Sequence, residues 1–249
     1  MLLIWPLFII SISALALLFF HRLNWLHEKA QNPKKIKASP AKVSRTERRS
    51  TLFNVSLYGL VFFVLGLFYQ GGYLRFYVVE TWSLIEVMYL VLSFLLCVLL
   101  HDIYFYITHR FLHLPLVYRW VHHLHHNSTD THVFSTFSFH PVEGLIQIGI
   151  LPLLAFFVPL HLSVFFLFSA FMIFMSVYGH SGYEYRANKA KGLYIFNTSV
   201  HHHQHHSSFH YNFGIYLNLW DQLFKTNHPQ YFEEVDQFKQ RLEDSKSNF

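Results

Sequence analysis

"LIEVMYLVLSFLLCVLLHDIYFYITHRFLH", residues 84–113, starts as a membrane span and ends in metal-ligand chemistry. From Leu84 to Leu100 its only charge is Glu86, close to one edge. The run then continues at helical spacing through Asp102, His109 and His113 to Pro115. At 1.5 Å per residue a helix over 84–113 is roughly 45 Å long, against a hydrocarbon core of roughly 30 Å. Its last turns must project beyond the bilayer, which puts His109 and His113, four residues apart on one face, just outside it. Asp102, seven residues before His109, falls on that face and is a candidate to orient a ligand ring through its second nitrogen.

The rest of the chain agrees with membrane residence. Of 249 residues, 53% are hydrophobic, 19% aromatic and 13% charged, well short of the roughly one quarter charged of soluble domains. "MLLIWPLFIISISALALLFF" (1–20) is long enough to span and has no cleavage signature of a secretory signal. "TLFNVSLYGLVFFVLGLFY" (51–69) is a second span, ended by Gln70, Gly71 and Gly72. Between them lie Arg22, Lys29, Lys34, Lys35, Lys37, Lys42, Arg45, Arg48 and Arg49 against Glu28 and Glu47, a flanking pattern that marks the cytoplasmic side. This basic segment has no base-reading motif or interleaved aromatics, so no nucleic-acid partner is expected. The single cysteine, Cys97, lies in an apolar run and excludes an internal disulfide or a cysteine-built metal site.

Segments 145–160 and 162–179 are free of Asp, Glu, Lys and Arg and form a helical hairpin with Pro159 and His161 at the turn. Its ends return to one side, so His140 and His180 share a compartment with residues 101–126. The expected fold is all-α: an integral membrane helical bundle of about four spans, or three spans plus a helical hairpin, carrying a histidine-rich di-metal domain on the cytoplasmic side. Residues 1–50 hold the first span and basic loop, 51–228 the membrane-embedded domain that carries most of the histidines, and 229–249 a polar surface helix and tail.

All 20 histidines except His21, His27 and His228 fall within 101–210. In "VHHLHHNS", His122, His125 and His126 have spacings that gather three imidazoles on one side of a helix, while His123 points away. The pattern returns eighty residues later as His202, His205 and His206. With the pair His109 and His113 this is more than one tetrahedral ion can take, which implies two ions in a nearly all-imidazole shell. The internal position and aromatic surroundings of 201–206 exclude a tag. His140 is either a ligand or the start of the hairpin helix; His201 and His203 are hydrogen-bonding neighbours, with His201 able to exchange roles with His202. His21, His27, His161 and His228 read as structural, and His132 and His210 as surface or packing residues.

The boxes "HDIYFYITHRFLH", "VHHLHHNS", "FHPVEG", "GHSGYE" and "NTSVHHHQHHSSFHYNFGIYLNLWDQLF" closely resemble the fatty acid hydroxylase superfamily, the integral-membrane sterol desaturase and hydroxylase group, over roughly 84–228. That resemblance implies a non-haem di-iron oxygenase whose ligands are His109 and His113; His122, His125 and His126; His180; and His202, His205 and His206. It implies two iron ions, which zinc is able to replace in a purified sample, and O2-dependent hydroxylation or desaturation of a sterol or fatty-acyl lipid drawn from the bilayer. It implies a separate electron donor of the cytochrome b5, ferredoxin or reductase type. This chain departs from the family at His203, where Asp is usual, and at Ser199, where Pro is usual, neither at a ligand phase. One branch carries a second histidine where this chain has Glu184, which either ligates, orients a ligand or is solvated.

Two other classes compete. A zinc hydrolase on the same scaffold would work without O2. A metal transporter needs ionisable groups inside its spans, and these are nearly free of them. Substrate identity is beyond the sequence; a bacterial inner membrane is favoured over the endoplasmic reticulum because no retrieval signal ends the chain.

Overall fold

The computed structural model describes residues 2–29, 35–36, 43–79, 81–184 and 195–247. Much of the basic segment, including Lys34, Lys37 and Lys42, lies outside the described residues. Among the described residues four helices are long and apolar enough to cross a membrane: α1 (Ile4–Lys29), α2 (Arg45–Gln70), α3 (Leu84–Leu112) and α8 (Leu162–Gly179). The protein is an integral membrane helical bundle, as its sequence leads one to expect.

The second helix begins six residues earlier than its apolar run. "SRTE" is a capping box: Ser44 Oγ accepts from the Glu47 N–H at 3.1 Å and Glu47 Oε2 accepts from the Ser44 N–H at 2.6 Å. Part of the expected basic loop is therefore the first turn of α2, carrying Arg45, Arg48 and Arg49. Ser83 and Glu86 cap α3 in the same way.

The hairpin also has more structure than its composition shows. Its first arm is two short helices, α6 (Pro141–Ile148) and α7 (Ile150–Phe157), broken at Gly149. There Tyr104 on α3 donates its hydroxyl to the Ile146 carbonyl at 2.7 Å, and a Cβ on Gly149 would stand 2.7 Å from the Tyr104 hydroxyl oxygen. The turn into α8 is a two-residue strand, β2 (Leu160–His161), paired in parallel with β1 (Phe76–Tyr77). His161 caps α8 through its ring nitrogen, a structural role.

α1 packs along α2 and α8, and α3 lies against α8. Phe62, Phe165, Phe168 and Ile173 fill the interior, each below 2% exposure. Outward-facing Leu84, Ile85, Leu92 and Leu95 are exposed, as residues in contact with lipid tails must be. Asn54 of α2, fully buried, donates to the carbonyls of Phe137 and Phe139 at 3.1 and 3.0 Å and ties the non-helical stretch before the hairpin to the bundle.

Beyond α3 the chain breaks into short pieces: α4 (Pro115–Val117), a π-type turn over Tyr118–His122, and α5 (His123–His126). After α8 come α9 (Ser199–Ser208), α10 (Leu219–Leu223) and α11 (Tyr231–Ser247). α11 lays Tyr231, Val235 and Phe238 against Val200 of α9. These pieces cover one end of the bundle and hold the histidines.

Candidate metal centre

Each imidazole is placed by a local stop or cap. α3 ends at Leu112, with Pro115 forbidding its continuation, so His109 sits in its last turn and His113 at its cap. The π-type turn, in which the His123 N–H bonds the Tyr118 carbonyl five residues back, sets the phase of α5. His180 caps the end of α8. At the start of α9, Thr198 Oγ1 accepts from the His201 N–H at 3.2 Å, and the Glu184 carboxylate accepts from the Ser199 and Val200 N–H groups at 2.8 and 3.4 Å. Phe209, at φ 57°, ends α9 by donating its N–H to the His205 carbonyl.

The nine rings gather into two groups, within each of which the donor nitrogens lie within 4.8 Å of one another. Group one is His109, His113, His122, His126 and His205; group two is His125, His180, His202 and His206. In group one the Nε2 atoms of His113, His122, His126 and His205 close a ring with neighbour separations of 3.0, 3.0, 3.1 and 3.1 Å. In group two the chain His125, His180, His202, His206 runs at 3.3, 2.9 and 3.1 Å. The groups share a wall: the rings of His126 and His206 stack at 4.7 Å.

Each histidine triplet is thus divided. Residues i and i+4 of a helix lie about 40° apart, whereas i+3 lies about 60° to the other side. His122 and His126 accordingly serve group one while His125 reaches group two. On α9 the sharing is reversed, with His202 and His206 in group two and His205 crossing to group one.

The second ring nitrogen decides what Nε2 can do. Nδ1 of His109, His180 and His205 lies 2.9, 2.9 and 2.6 Å from the carbonyls of Phe213, Ser176 and Tyr211. A carbonyl only accepts, so these rings carry their proton on Nδ1 and turn an Nε2 lone pair into the group. His122 Nδ1 lies 2.8 Å from Glu143 Oε1 with both side chains fully buried, and with Glu143 ionised its ring proton likewise sits on Nδ1. Burial, then repulsion from neighbouring imidazoles, holds His113, His122, His125, His126, His202, His205 and His206 far below the usual histidine range. Burial also pushes His180 down to about 4. Neutral, converging lone pairs with no thiolate among them are a donor set suited to divalent first-row transition metals.

Four other candidates lie outside both groups. Asp102 accepts from the Tyr216 and Leu217 N–H groups at 2.9 and 3.2 Å and from Trp220 Nε1 at 2.8 Å. It shares a face with His109, but two helical turns separate them by about 10 Å, so it clamps the 216–220 segment and orients no imidazole. His140 accepts from the Val142 N–H and starts α6. Glu184 caps α9 and accepts from the Tyr178 hydroxyl. His201 pairs with Asp221 at 3.1 Å, a neighbour to the groups. His132 bonds Glu47, and His123 and His210 are exposed.

Glu143 is the residue sequence reasoning missed. Its signal was present: one carboxylate in "FHPVEG", at the head of a hairpin otherwise free of charge. A cation in group one favours its ionised form, which fixes the His122 tautomer. Glu143→Gln keeps the shape and loses the charge; metal retention against a chelator is expected to fall about tenfold or more, with Glu143→Asp recovering part. Equal retention in all three proteins would show Glu143 to be a packing residue.

A cavity of about 800 Å³, counting space that opens outward, reaches both groups at His109 and His122 on one side and His125, His180 and His202 on the other. Its other walls include Phe105, Phe137, Phe139, Met172 and Ile173.

Comparison with known proteins agrees with this architecture. Residues 94–226 match the fatty acid hydroxylase family. The chain is 30% identical over 174 residues to a Delta(7)-sterol 5(6)-desaturase of Candida glabrata, covering 70% of this chain and 46% of that one. It is 33% identical over 142 residues to lathosterol oxidase of Homo sapiens, covering 57% and 46%, and 36% identical over 152 residues to that of Mus musculus, covering 60% and 48%. The matched part spans less than half the length of these relatives. No solved structure matches. With the histidine boxes, the spans that carry them and a matched stretch that takes in all nine converging imidazoles, the chain belongs to the fatty acid hydroxylase family.

Proposed function

We propose that the protein is a membrane-bound, O2-dependent lipid oxidase of the hydroxylase or desaturase type, with two iron ions held by His109, His113, His122, His126 and His205 and by His125, His180, His202 and His206. The observation that carries this reading is the apolar cavity that touches both imidazole groups. Bound there, two iron ions supply open positions for O2 and the electrons to activate an unreactive C–H bond. The overall change is RH + O2 + 2e⁻ + 2H⁺ → ROH + H2O for hydroxylation; for desaturation the same O2, electrons and protons yield an alkene and two waters. The names of the relatives, a 5(6)-desaturase of sterols and lathosterol oxidase, favour the second outcome.

The chain's own residues set the conditions. Phe105, Phe137 and Phe139 present an apolar wall to the substrate and exclude water from the groups. Glu143 and the carbonyls of Phe213, Ser176 and Tyr211 hold ring protons at Nδ1, keeping Nε2 of their four imidazoles free to ligate. The Lys and Arg residues between 22 and 49 support a cytoplasmic location for this face. With a single cysteine these 249 residues cannot build a four-cysteine cluster, which supports delivery of the two electrons by a donor of the cytochrome b5, ferredoxin or reductase type.

Mass-spectrometric lipid profiles of cells making the wild type or His125→Ala test the reading. One lipid class is expected to gain an oxygen atom or lose two hydrogens only with the wild type, and only in air. Identical profiles, or a lipid change that persists without O2, would sink it.

A further inference from the structure

α3 carries, besides His109, a second buried imidazole, which neither group uses. His101 is 2% exposed and lines the cavity, and its Nδ1 lies 2.8 Å from the Tyr216 hydroxyl. Tyr216 is itself held in place, because its N–H donates to Asp102 at 2.9 Å. His101, Phe105 and His109 follow one another at i, i+4 and i+8 along one face. The Phe105 ring bridges the two imidazoles, with centroids 6.1 Å from His101 and 4.9 Å from His109. Around His101 the wall is apolar, with Phe168 at 5.8 Å.

A polar group in such surroundings is costly unless bonded, and Tyr216 occupies only one ring nitrogen. Nε2 has no hydrogen bond to a described residue. Among the described residues lining the cavity there is no Lys or Arg, which disfavours a carboxylate or phosphate there. A neutral imidazole paired with a phenol can donate or accept, and so suits a hydroxyl or carbonyl.

We propose that His101, held by Tyr216, is the polar anchor of the substrate cavity, binding a lipid hydroxyl or carbonyl at a point about 12 Å along α3 from His109, the rise of eight helical residues. The assignment rests on the oxidase reading and names its substrate class: a lipid polar at the end remote from the reacting carbon.

The test uses the full chain, metal-loaded in detergent, with 1-dodecanol and dodecane as matched probes. The wild type is expected to bind the alcohol about fivefold more tightly than the alkane, as one neutral hydrogen bond allows. His101→Phe and Tyr216→Phe are expected to abolish that preference while keeping metal content and dodecane binding. Tyr216→Phe removes a single oxygen, so it serves even if His101→Phe does not fold. Equal binding of the two probes by the wild type, or a preference that survives in Tyr216→Phe, overturns the proposal. So does turnover of 1-dodecanol at the carbons beside its hydroxyl instead of toward the far end. Binding needs no turnover, so absence of O2-dependent oxidation of any lipid would count against the oxidase reading alone and leave the alcohol preference measurable.

Discussion

The double variant His202→Ala/His205→Ala is expected to lose all bound metal, whereas His113→Ala/His205→Ala retains about half. The difference follows from the division of α9 between the groups: His205 Nε2 is 3.1 Å from His113 Nε2, while His202 Nε2 is 2.9 Å from His180 Nε2. Substitutions within one group damage one site and are not additive; substitutions in different groups damage both. Each single variant should lose about half the metal and essentially all turnover, since the reaction needs both ions. Elemental analysis of purified protein decides it. If His202→Ala/His205→Ala kept half its metal, the α9 triplet would serve one ion and the interleaving would be wrong.

Acid is expected to strip the metal and weaken the fold together, steeply, below about pH 6.5. The eight metal-group imidazoles beyond the end of α3 all have folded-state proton affinities below the unfolded value. Below the unfolded histidine pKa of about 6.5, the unfolded chain therefore takes up protons that the folded chain refuses, and stability is lost as pH falls. Each such group adds up to about 1.4 kcal/mol per pH unit. For His180 the loss runs from that upper limit down to about 4; for the others it continues further. Bound metal shifts the fall to lower pH without changing its sign, because protons and metal compete for Nε2. Thermal unfolding and metal content measured across this range test the expectation, and a flat response from pH 7.5 to 5 would contradict it.

Much of the architecture was legible because its causes are local. The apolar runs place α1, α2, α3 and α8, and the spacing of His122, His125 and His126 identifies the ligand-bearing face. What was not legible depends on what stands opposite. Periodicity assigns Asp102 and His109 to one face but ignores the two turns between them, and the carboxylate meets the 216–220 segment instead. The triplets read as three rings on one side, yet an arc that wide meets two sites once another helix faces it. Glu143 became significant only when α6 brought it against His122. The capping box at Ser44 and Glu47 was readable, but the density of positive charge around it suggested a loop.

The interleaving of the two groups also has a consequence in time. Four of the five members of group one, His109, His113, His122 and His126, have been synthesised by residue 126. Group two has only His125 at that stage, gains His180 fifty-five positions later, and is completed at His206. With both groups binding metal as proposed, the order of synthesis becomes an order of loading. The first ion can find a nearly finished nest on a nascent chain, while the second has to wait for α9, whose arrival also brings His205 to complete the first.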